Sequence, residues 1–124
     1  MQRLMFEQKW DQTISEQDRA LITNLFEQSK HEEGAPVKFT FVRSALNHKG
    51  DLLVMCLLHH FGGETLTFSE QELTYYEKGS AVAQSVFTIT HTALPPHTSM
   101  PWTFIFPKQT VMKQPTLAHG ELRL

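Results

Sequence analysis

The sequence predicts a mainly β fold, an antiparallel, immunoglobulin-like β-sandwich of about seven strands with one N-terminal helix. From Val37 onward, apolar residues alternate with polar ones or run unbroken for a strand's length, with turn signals roughly every 8 to 12 residues. Only one segment, near the start, carries a helical stripe. Helices therefore do not alternate with strands as a parallel α/β sheet requires. The third observation is the stretch Leu94-Pro95-Pro96-His97-Thr98-Ser99-Met100-Pro101-Trp102-Thr103-Phe104-Ile105-Phe106-Pro107, a proline-stiffened loop feeding an aromatic strand. Proline lacks a backbone donor and belongs at strand ends and sheet edges, so this reads as the last strand of the sandwich.

In chain order, residues 3–10 are expected as a short strand, with Leu4 and Phe6 on one face and Trp10 near its end. Ser15 reads as an N-cap, and Glu16 and Asp18 fall in the first helical turn, where carboxylates favour the positive helix terminus. Leu21, Ile22, Leu25 and Phe26 then form one stripe, predicting a helix over 16–30 that is lost before Gly34-Ala35-Pro36. Val37, Phe39 and Phe41 alternate with Lys38 and Thr40 as a strand buried on one side. Asn47 to Asp51 is a turn, and the apolar run 52–58 is a central strand. Gly62-Gly63 suits a hairpin with positive φ angles. Leu66 with Phe68, and Leu73 with Tyr75, mark further strand segments, and Glu77 to Ser80 is the next hairpin. Residues 81–90 form a strand with Phe87 and Ile89 on one face, and the loop 91–101 leads into Trp102 to Phe106. One domain is expected over 1–107, followed by a loosely held polar tail over 108–124 with Pro115 and Gly120.

Composition narrows the function classes. At 124 residues with 40% hydrophobic and 19% charged content, the chain can bury a core without staples. A net charge of −2 gives no global attraction to nucleic acid or anionic lipid. The charges are uneven: no acid occurs between Lys78 and Glu121, while acids outnumber bases from Glu16 to Glu33. Cys56 is the single cysteine, set in an apolar run, and reads as a small buried hydrophobe. The first ten residues lack the apolar region of a signal peptide, and the longest apolar run is far short of a membrane span. The expected address is the cytoplasm.

Leu4-Met5-Phe6-Glu7-Gln8-Lys9-Trp10-Asp11, Ser15-Glu16-Gln17-Asp18-Arg19 and Leu25-Phe26 resemble the start of the SLAP domain, found in the S-layer assembly proteins of Bacillus-type bacteria. Asn47-His48-Lys49 and the loop from Pro95-Pro96 to Pro107 match the rest of its pattern. The resemblance covers about residues 3–107, in one copy where the family often carries two. It implies a non-enzymatic protein-interaction domain serving S-layer protein assembly and export through the accessory Sec pathway. The implied partner is an S-layer precursor or the accessory Sec ATPase. It supplies no catalytic residues and no cofactor.

The residues themselves leave little chemistry. Seven histidines include no His-x-His and no His-x-x-x-His, so neither a strand nor a helix presents a chelating pair. His59 and His60 should point to opposite faces. His91 and His97 flank the proline loop and support the alternative of a small β-barrel metal- or ligand-binding protein or enzyme. His60-Phe61-Gly62-Gly63 has an esterase-like look, but no Gly-x-Ser-x-Gly accompanies it. Phe39, Phe41, Phe68, Tyr75 and Phe87 lack the interleaved cations of a base-stacking platform and are expected in the core. The candidate partner-binding residues are Trp10, Tyr76, Pro101 and Trp102. Tryptophan dominates interface hot spots, and one ring of Tyr75-Tyr76 must face outward. The strand Met100–Phe106 is expected as an edge open to β-augmentation.

Overall fold

The computed structural model describes residues 2–28, 37–89 and 94–124. The strands are β1 (Arg3–Leu4), β2 (Val37–Leu46), β3 (Leu52–His60), β4 (Gln71–Glu77), β5 (Ser80–Phe87), β6 (Thr98–Phe106) and β7 (Glu121–Arg123). They build two sheets, ordered β1-β6-β3-β2 and β5-β4-β7, and every pair but β1 with β6 is antiparallel. The mainly β, sandwich-like architecture expected from the pattern of alternation is what the chain forms.

Strand alternation decides which side chains meet between the sheets. Leu52, Val54, Cys56 and Leu58 of β3 share the inner face with Met100, Phe104 and Phe106 of β6, opposite Leu73, Tyr75 and Val82. Phe104 is the hub, with ring centroids 6.1 Å from Phe39, 5.8 Å from Phe68 and 5.1 Å from Phe87. The aromatics therefore serve packing, as their lack of neighbouring cations predicts. Lys78 and Gly79 both take positive φ, 52° and 77°, and make the tight β4–β5 hairpin that Glu77-Lys78-Gly79-Ser80 foretells.

Several expected elements differ. The strand expected over 3–10 stops at Leu4, and α1 (Gln8–Thr13) follows it. The helix expected over 16–30 is α2, Glu16–Gln28; residues 29–36, with the Gly34-Ala35-Pro36 stop, lie outside the described residues. Ile22 is its one fully buried side chain, Leu25 and Phe26 are half-buried, and Leu21 is exposed. The central strand runs two residues past Leu58, because His59 and His60 pair with Ser99 and Thr98. That pairing also starts β6 at Thr98, inside the loop expected over 91–101; residues 90–93 lie outside the described residues. Leu66 makes an isolated bridge to Leu94 and Phe68 one bond to Ile89, so 66–68 is no strand. Gly62 and Gly63 do not take positive φ. Gly62 instead packs close to His60, whose Cε1 would lie 2.8 Å from an added Cβ.

Residues 108–124, expected as a polar tail, open with a 3-10 turn at Lys108–Thr110 and end in β7 on β4. Glu77 fastens this segment. Its buried carboxylate accepts the N–H groups of Thr116 (2.8 Å) and Leu117 (3.2 Å) and the hydroxyls of Thr116 (3.1 Å) and Tyr75 (3.2 Å).

Candidate functional site

Trp10 and Trp102 line one groove of about 590 Å³, together with Glu7, Thr13, Ile14, Ser15 and Asp18. Its first wall is α1 and the turn after it, closed by bonds from Asp11 N–H to Glu7 O (2.9 Å) and from Ile14 N–H to Trp10 O (2.8 Å). Ser15 caps α2 as its sequence position predicts, its Oγ accepting the Asp18 N–H at 3.1 Å. Two ion pairs set the helices in place. Arg19 reaches Asp11 at 2.8 Å and lies 4.7 Å over the Phe6 ring, while Arg43 of β2 donates to Asp18 at 2.8 Å. The hydrogen bond and charge of Arg43 hold the Asp18 carboxyl below its ordinary range, against the effect of burial. Exposed pairs of this kind contribute little stability, so their effect here is on position.

The second wall is β6, and Pro101 explains its shape. In the parallel β1–β6 ladder Arg3 N–H bonds to His97 O and Met5 N–H to Ser99 O, both at 2.8 Å. The next donor that this ladder needs is the N–H of residue 101, which proline lacks. Pairing ends there, which is the physical reason that the strand expected over 3–10 gives way to α1. The same alternation turns the backbone N–H and C=O groups of Thr103 and Ile105 away from β3, and among the described residues nothing bonds to them on that side. β6 is thus second in its sheet at Thr98–Ser99 and an open edge beyond.

The four residues singled out from the sequence do not form one surface. Trp10 and Trp102, both half-buried, share the groove. Pro101 is buried, and alternation sends its ring to the sheet face opposite Trp102. Tyr76 stands on the other sheet, half-buried, with the Arg123 guanidinium 4.9 Å from its ring centroid.

A family model described as the SLAP domain matches residues 4–120. The chain belongs to the SLAP domain family. None of the curated proteins or solved structures compared with the chain matches it. The match to the SLAP domain spans both walls of the groove and runs past residue 107 into the segment that Glu77 fastens.

Among the described residues no group of three His, Cys, Asp or Glu stands close enough to share a metal. His97 is exposed at φ 52°, and His91 lies outside the described residues. Burial alone pushes the Cys56 thiol far up, which removes its thiolate. One feature escaped sequence reasoning. His59 is buried, its Nδ1 2.6 Å from Ser99 Oγ and its Nε2 2.7 Å from Thr40 Oγ1, and Gln2 donates to Ser99 Oγ at 3.1 Å. This polar line crosses three strands and joins the N-terminal segment to the sheet. Its only trace in the sequence is a histidine pair ending an apolar strand.

Proposed function

We propose that this SLAP domain is a non-catalytic protein-interaction module that acts in the cytoplasm on S-layer protein assembly and export through the accessory Sec pathway. Its partner is an S-layer precursor or the accessory Sec ATPase. The observation that carries the reading is the groove in which two tryptophans from distant parts of the chain meet, within a family match that covers nearly the whole chain. Tryptophan is enriched among the few residues that carry most of the binding energy at protein interfaces. No helix among the described residues is long and apolar enough to cross a membrane.

The test is co-purification from an S-layer-forming host with an accessory Sec system, comparing wild type with Trp10→Ala after circular dichroism shows both folded. Trp10 is outside the main core cluster, so the fold should survive its loss. S-layer precursor or the Sec ATPase should accompany the wild type and be depleted with the variant. A folded wild type that captures neither contradicts the proposal.

A further inference from the structure

We propose that the end of the sandwich that bears Lys49, Lys78, Lys108 and Lys113 docks on the surface of an anionic lipid bilayer. This surface is separate from the tryptophan groove, and the inference does not rest on the interaction reading above. Residues 107–117 cross from one sheet to the other, touching the β2–β3 turn of the first and the β4–β5 hairpin of the second. At the turn, the Lys108 N–H donates to Asp51 Oδ1 at 2.9 Å, and the Lys108 stem lies over Gly50, beside Lys49. At the hairpin, Val111 bridges to Ala83 and the Met112 N–H donates to Val82 O at 2.7 Å. Thr116 and Leu117 then bond the Glu77 carboxylate, next to Lys78. The uneven charge of the sequence, with no acid between Lys78 and Glu121, thus becomes a surface.

All four lysines are exposed, and none enters an ion pair among the described residues. The acids on these stretches are Asp51 and Glu77, and main-chain donors occupy both. The Lys108 N–H and the Asn47 amide hold the Asp51 carboxyl below its usual range, with a smaller pull from the Lys49 charge. Leu46, Met112 and Leu117, on the same stretches, are 38%, 58% and 40% exposed. Apolar side chains thus stand among cations, the combination that an anionic bilayer surface attracts. The other anionic macromolecules fit less well. No arginine occurs in 46–51, 77–80 or 107–117, and planar guanidinium forks are what best hold the carboxylates of an acidic protein segment. No Phe, Tyr or Trp occurs there either, so nucleic acid finds no ring to stack on. Lysines spread over three adjoining pieces act as point charges, which suits a diffuse layer of headgroups.

The test is flotation with vesicles of about 30% phosphatidylglycerol in phosphatidylcholine, against phosphatidylcholine alone. Binding should require phosphatidylglycerol and weaken by about tenfold or more as salt rises from about 0.1 M to about 0.5 M. Lys49→Gln combined with Lys113→Gln, at two exposed positions on different pieces, should weaken it by about thirtyfold. Arg3→Gln removes an exposed cation where β6 begins, away from these lysines, and should change it by less than about twofold. With a gadolinium-bearing lipid in the same vesicles, the amides of Lys49, Lys108 and Lys113 should broaden in NMR spectra before that of Trp10. Should the double variant not fold, this mapping on the wild type decides alone. Four results overturn the proposal. These are no binding to the anionic vesicles, equal binding to phosphatidylcholine alone, full binding by the folded double variant, and broadening centred away from the lysines. A wild type that ignores the vesicles but binds a short glutamate peptide or single-stranded RNA also overturns it, and assigns the lysines to that partner instead.

Discussion

At position 120 an added Cβ would stand 2.1 Å from Tyr75 Oη and 2.3 Å from its Cε1, and Tyr75 is fully buried among β4, β7 and the core aromatics. At such distances either the buried ring or the backbone must shift. Gly120→Ala should destabilise by about 1–3 kcal/mol, read by urea denaturation, and should lift β7 from β4. A neutral result would show that the 120–123 segment does not press on Tyr75 in solution. Glu77 offers a second test. Burial raises its carboxyl pKa, but the hydrogen bonds from Thr116, Tyr75 and Leu117 outweigh burial and leave it lowered. A lowered folded pKa means stability that is present above the ordinary glutamate range and lost as pH falls through the folded value. Glu77→Gln should therefore cost about 1–3 kcal/mol at neutral pH, since an amide cannot accept all these bonds. The gap to wild type should close as pH falls below about 4.5. Stability curves of both proteins against pH check this, and a gap independent of pH would contradict it.

The elements that could be read from the sequence are those whose cause is local. Lys78-Gly79 is a turn by its own φ preferences, and Gly79→Ala, at φ 77°, should cost about 1 kcal/mol in thermal unfolding without altering the core. Ser15 caps α2 by its own hydroxyl. The elements that could not be read have remote causes. β1 is short because residue 101, far along the chain, has no N–H to give; nothing in residues 3–10 records that. β7 is three residues in a polar stretch, held by pairing with Thr74–Tyr76 and by Glu77. Gly62-Gly63 looks like a hairpin because paired glycines usually are one, yet Gly62 is there to let His60 approach. The site divides in the same way. Each tryptophan is conspicuous alone, but that α1 and β6 place them on one groove is a tertiary fact.

As a whole, the molecule is two sheets joined by an aromatic core, with helices on the side where the groove opens. Phe104 contacts rings from both sheets, including Phe39 of β2 and Phe87 of β5. Phe104→Ala should destabilise by about 3–5 kcal/mol, with loss of near-ultraviolet dichroism as the sheets part. A loss under about 1 kcal/mol would mean that the two sheets are not held by this contact. The central claim is that the groove between α1 and β6 binds a protein, and its most direct measurement is titration calorimetry with purified S-layer precursor and accessory Sec ATPase in turn. Saturable binding of one of them, weakened by roughly thirtyfold in Trp10→Ala and unchanged in Tyr76→Ala on the opposite sheet, is the expected result. Binding that survives Trp10→Ala intact, or no binding to either protein, would contradict it.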